Sequence, residues 1–113
     1  MASNYNLEKV NAIADGDQDF ILVLVQTLLD ELPEDAKTLQ QAVTSNNFEQ
    51  TYQIAHKLKP TIALFGIKHY SSLIEIQDWG KLTQKDKVIT SQLEVFVNSV
   101  NKALQEIKTN FNL

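Results

Sequence analysis

Apolar residues recur along most of this chain at three- and four-residue steps, the period of one helix face, and the breaks in that pattern divide it into five segments. Leu7, Val10, Ile13 and Ala14 predict a short helix that stops at Asp15-Gly16. Asp17 then stands where an N-cap belongs. Phe20, Ile21, Leu24, Val25, Leu28, Leu32, Ala36, Leu39 and Val43 carry the spacing onward to Ser45-Asn46-Asn47, which predicts one long helix. Pro33 falls inside it and predicts a bend or a fresh start near Leu32, because an interior proline removes a hydrogen bond and crowds the preceding turn. A third helix opens at Asn47 and runs through Phe48, Tyr52, Ala55, Leu58, Ile62 and Phe65 to about Gly66. Ile67, Tyr70, Leu73, Ile74 and Gln77 form a fourth segment closed by Gly80, with almost no turn before it. The last helix is expected from about Gln84 to Phe111, with Ile89, Leu93, Phe96, Val100, Leu104 and Ile107 as its stripe. Lys102 and Lys108 lie in its later turns, where positive charge suits the helix dipole.

Five amphipathic segments with short connections, each with one apolar face, are best satisfied by an all-α antiparallel four-helix bundle. The short first helix would lie over it as a lid, and the whole of residues 1–113 would form one domain. Three glycines and two prolines leave too little turn material for a β-sandwich or barrel.

Charge narrows the partners. All ten basic residues are lysines, against fourteen acidic residues and a net charge of −4. Binding to nucleic acid, which rests on dense positive charge and on arginine's bidentate fork, is not expected. The absence of cysteine removes disulfides, thiolate nucleophiles and Cys-based zinc sites. No stretch is apolar enough to span a membrane and no signal peptide is legible, so a cytoplasmic protein without membrane contact is expected. A bundle of this size is expected to be a monomer. The initiating Met1 favours a stand-alone chain over a piece of a larger kinase.

Enzyme templates fail one by one. Gly16, Gly66 and Gly80 are too far apart for a phosphate-cradling loop. A di-metal carboxylate bundle needs Glu three residues before each histidine, but Gln53 precedes His56 at that spacing and Gly66 precedes His69. No nucleophile elbow occurs. No cofactor and no metal on this chain are therefore expected, and the two histidines remain as the groups able to act as nucleophile or base near neutral pH. On a helical wheel His56 falls roughly 110° from the centre of its apolar stripe near Ala55, which directs it to solvent. Its neighbours one turn away are Tyr52 and Gln53 behind, Lys59 and Pro60 ahead. Pro60 lacks the N–H that would bond the carbonyl of His56, so the helix is expected to loosen there, and its compact ring leaves the surface beyond the histidine low.

The run Ala55-His56-Lys57-Leu58-Lys59-Pro60-Thr61-Ile62-Ala63-Leu64-Phe65-Gly66 resembles the signature of histidine-containing phosphotransfer (HPt) domains: Ala-His-x-Leu-Lys-Gly, a small or apolar run, then Gly. The helix order extends the likeness over the whole chain. The resemblance implies that His56 accepts a phosphoryl group from the aspartyl phosphate of a response-regulator receiver domain and passes it to another receiver, as a covalent intermediate rather than an autonomous enzyme. It implies that Lys59 holds phosphoryl oxygens, that Gly66 is the glycine at the helix turn, and that the receiver supplies a divalent metal such as Mg. The receivers include those of hybrid histidine kinases. Pro60 departs from the family's glycine. A family glutamine that touches the histidine ring from the next helix corresponds by counting to Asp78, with Gln77 adjacent; an aspartate there would repel a phosphoryl group.

Relatives dock receivers through the short first helix and the start of the second, which implies Val10, Ile13, Leu22 and Val23 here, with Ala63 beside the histidine. Leu22 and Val23 belong to a run, Phe20 to Val25, that is too apolar all round for a helix with a single buried stripe. His69 lacks a lysine three residues on and reads as a surface residue, Trp79 reads as packing, and Asp30, Glu31, Glu34 and Asp35 read as a solvated face. The competing reading is a helical adaptor of the same fold that binds a partner without phosphate chemistry, for which Pro60 is the main argument.

Overall fold

The computed structural model describes residues 3–113; Met1, on which the stand-alone expectation rests, lies outside them. Among the described residues there are five helices and no strand: α1 Glu8–Ala14, α2 Gln18–Thr44, α3 Phe48–Leu64, α4 Tyr70–Lys81 and α5 Thr90–Phe111. In the antiparallel bundle each of α2 to α5 packs on the next and α2 closes the ring on α5, while α1 lies against α2. None of these helices is long and apolar enough to cross a membrane.

Local chemistry sets the element ends. Asp17 caps α2 by accepting from the Phe20 amide, and Asn47 caps α3 by accepting from the Gln50 amide. At the end of α3 the Gly66 amide donates to the Ala63 carbonyl and the Ile67 amide to the Ile62 carbonyl, a Schellman closure that needs the left-handed φ of +58° found at Gly66. Here the N-terminal segment crosses the bundle: the Asn6 amide donates to the Phe65 carbonyl at 2.7 Å, and a Cβ at Gly66 would stand 2.7 Å from that of Asn6. Gly66 thus closes the helix and admits the crossing chain.

The core is a continuous apolar column, with Leu32, Leu39, Leu58, Ile62, Leu73, Ile76, Phe96 and Ile107 among its fully buried members. Burial on this scale supplies the main stabilising term for a domain of this size.

The structure departs from the sequence pattern at four places. No fresh start occurs at Pro33: α2 is helical without interruption from 18 to 44, since Leu32 and Ala36 anchor both sides of the proline in the core and Pro33 itself faces solvent. The α3–α4 connection is longer than expected, occupying 65–69, with His69 in left-handed conformation (φ +68°) ahead of α4. Gly80 does not end α4 but lies buried inside it, where a Cβ would meet the Phe48 carbonyl oxygen at 2.6 Å and the Tyr52 amide nitrogen at 2.8 Å. The glycine allows α4 to approach the α3 backbone. Finally, 82–89 is a loop, so α5 starts at Thr90 instead of Gln84. The Gln84 amide donates to the Trp79 carbonyl and the Trp79 indole N–H to the Lys87 carbonyl, ties that hold these residues out of the helix.

Candidate functional site

His56 sits in the middle of α3, on the side turned toward α4, and its ring is exposed. Leu58 and Ala55, both buried, fix the rotation of the helix that puts it there. The nearest side chain across the interface is Gln77 of α4, whose Oε1 lies 3.4 Å from the His56 Nδ1. Gln77 is a buried polar residue, 8% exposed, so its amide is held by packing and presents one face to the ring. In the Nδ1–H tautomer this nitrogen would donate to the amide oxygen and leave the Nε2 lone pair free. The Tyr52 ring stands one turn behind, 5.7 Å from the imidazole centroid to centroid and tilted by 33°.

The ring partner is therefore Gln77 and not Asp78, the position reached by counting. One residue is about 100° of helix rotation. Gln77 shares the α4 face of Leu73 and Gly80 that packs on α3, whereas Asp78 is turned from it and half-buried. Among the described residues no carboxylate bonds to the ring.

Lys59 is half-buried one turn beyond His56 and takes no part in an ion pair among the described residues. Lys57 is engaged elsewhere, reaching over to α2 to meet the Asp35 carboxylate at 3.1 Å. Pro60 is exposed, Gln53 is exposed, and Ala63 is half-buried two turns past His56, all on one side of α3. α3 continues as helix through Pro60 to Leu64, so the loosening expected at the proline does not interrupt it. Lys81 is exposed one turn beyond Gln77 on α4, at the i, i+4 spacing from the residue that touches the ring.

The docking candidates divide. Val10 is fully buried against the bundle and is no part of a surface, since α1 is only seven residues long and turns Val10 and Ala14 inward. Ile13 is 60% exposed, Val23 55% and Leu22 37%, and Phe20 is exposed with them. Between α2 and α3 runs a groove of about 170 Å³ floored by Leu24, Leu28, Leu58 and Phe65, with the Lys57–Asp35 pair at one end. That groove links the exposed start of α2 to the helix that carries His56.

The other features take structural roles. Trp79 is buried against Phe48 at a centroid distance of 4.3 Å, and His69 is an exposed residue at the start of α4. No three His, Asp or Glu side chains among the described residues converge as a metal site.

The family model described as Hpt domain matches residues 23–76, the stretch from α2 into α4 that contains His56 and Lys59 and stops one residue short of Gln77. Over that stretch the chain matches the HPt domain family, whose members are carrier modules of histidine phosphotransfer in two-component systems and interact with receiver domains. No curated protein and no solved structure shows significant similarity to it.

Proposed function

We propose that this protein is a phosphorelay intermediate in which His56 takes a phosphoryl group from the aspartyl phosphate of one receiver and delivers it to another. The observation that carries the proposal is the exposed imidazole with its Nδ1 against the Gln77 amide oxygen, which leaves Nε2 as the nucleophile. In the transfer the acyl-phosphate P–O bond breaks as an N–P bond forms at Nε2. The receiver's aspartate leaves as carboxylate, and Nδ1 keeps its proton against Gln77. Phosphoryl transfer has a loose transition state that asks for positioning and charge neutralisation rather than covalent machinery, so a single well-placed ring suffices on this side of the complex. Lys59 supplies positive charge beside the incoming phosphoryl oxygens, and Lys81 a second cation from α4. The receiver brings the aspartate and the divalent metal. It docks over the exposed start of α2 and the end of α1, through Ile13, Leu22 and Val23, and along the groove toward Ala63 and Pro60.

Incubation with a phosphorylated receiver tests this. Wild type acquires acid-labile, base-stable phosphate, and His56→Gln does not while melting at nearly the same temperature, because an exposed side chain contributes little to the core. A wild-type protein that binds the receiver without ever taking phosphate is instead the adaptor of the competing reading.

A further inference from the structure

We infer that the main-chain carbonyl of His56 is a docking acceptor, filled in the complex by a hydrogen-bond donor of the receiver, and that Pro60 keeps it open. The inference rests on the phosphotransfer reading and adds to it a requirement on the partner. Ahead of its last turn, an α-helix has each carbonyl accept from the amide four positions on, except where that position is proline. Pro60 is that position for His56, and α3 is helical on both sides of it. The carbonyl is therefore held in helical orientation, pointing along the axis toward Pro60, with its regular donor missing. His56 and Pro60 are both exposed, which puts this part of the α3 surface within reach of solvent and of a partner.

A receiver that brings its aspartyl phosphate to Nε2 must cover His56, and in doing so it closes this surface off from solvent. An acceptor stripped of water and given no donor weakens the complex substantially. A receiver that places an N–H over the oxygen, from its main chain or from an Asn, Gln, Lys or Arg side chain, avoids the loss and gains a contact one residue wide at the reacting group. Partners with an acceptor or an apolar group at that spot are disfavoured. Pro60 thus acts on receiver choice by what it withholds. Pro33 offers a built-in comparison, since it frees the Leu29 carbonyl on another helix.

The test is receiver affinity, by titration calorimetry, for Pro60→Ala, Pro60→Val and Pro33→Ala. Alanine and valine both restore the amide, whereas valine also keeps much of the proline's apolar bulk. Both Pro60 variants are expected to bind roughly five- to tenfold more weakly than wild type, and Pro33→Ala to bind equally. The new amide at position 60 is expected to exchange slowly with solvent, as an amide bonded to the His56 carbonyl does. Unchanged affinity in both variants overturns the inference. So does a loss confined to alanine, which assigns the contact to the proline ring, and so does fast exchange at position 60. Phosphoryl transfer measured in the same samples separates the two levels: no phosphate on wild type defeats the phosphotransfer reading, whereas normal transfer with unaltered affinity in the variants defeats this inference alone.

Discussion

Gly80→Ala adds one methyl group at the point where α4 meets the backbone of α3. The added carbon would stand 2.6 Å from the Phe48 carbonyl oxygen, 2.8 Å from the Tyr52 nitrogen and 3.2 Å from the Tyr52 Cα. All three are main-chain atoms in the first turns of α3, so no flexible side chain can withdraw, and relief requires the helices to part by an amount approaching about 1 Å. Overpacking of this kind costs about 1–3 kcal/mol, and alanine returns about 1 kcal/mol through its better helix propensity. The net expectation is a loss of up to about 2 kcal/mol, or up to about 8 °C in Tm for a domain of this length. The functional consequence is separate. Gln77 lies one turn before Gly80 on the same face, and its contact with the His56 ring is already 3.4 Å long, so parting the helices removes it and slows phosphoryl acceptance. Thermal melting by circular dichroism, paired with the rate of transfer from a receiver, reads both effects. Gly16→Ala is the comparison: its φ of +83° strains any side chain, but nothing lies within 4 Å, so it lowers Tm without touching transfer. A rise in Tm for Gly80→Ala, the ordinary result at an open helical glycine, would refute the close approach.

Lys59→Ala is expected to slow transfer or shorten the phosphohistidine lifetime without abolishing either, with a loss of about 1.5–3 kcal/mol at most for one charge-assisted contact; unchanged rates and lifetime would make it a plain surface lysine. Val23→Glu is expected to weaken receiver binding by about 1 kcal/mol or more with little change in Tm, and Val10→Glu to unfold the protein, since Val23 is 55% exposed and Val10 is fully buried. Wild-type affinity in the first variant would remove the start of α2 from the interface. At the other end of the chain Glu106 accepts from the Asn4 main-chain amide and from its side chain, and these bonds hold its carboxyl below the ordinary value of 4.5. A depressed acid stabilises the fold in its charged form, so this tether is complete at neutral pH and is lost only as the pH falls below the usual glutamate range. The Asn4 amide shift followed by NMR is expected to titrate there, and a midpoint at or above 4.5 would contradict the assignment.

The helices were legible because five core faces repeat at a helical period, and the caps Asp17 and Asn47 follow from their chemistry alone. What failed was punctuation and phase. Gly80 read as a stop because a sequence does not distinguish a glycine that ends a helix from one that lets a second helix in. The true end uses Thr83 at a φ of +48°, a conformation that a β-branched residue gives no reason to expect. Val10 and Ile13 are both apolar members of a two-turn helix, and which of them faced inward depended on how α1 lies on α2. The same holds at the site. His56, Lys59 and Pro60 are neighbours on one helix and could be found by spacing, whereas Gln77 comes from α4, whose rotation against α3 is set by Leu73 and Gly80 in the core. An error of one residue in that phase is the difference between an amide and a carboxylate at the ring.

The most direct measurement is the chemical state of the His56 imidazole before and after phosphorylation, read by nitrogen and phosphorus NMR on protein labelled in histidine. The free ring is expected as the Nδ1–H tautomer at pH values where it is neutral, and the phosphorylated protein as a single phosphoramidate on Nε2 of His56, with His69 unmodified. Phosphate on Nδ1, on His69, or on neither histidine after exposure to a phosphorylated receiver that labels another carrier would contradict the account.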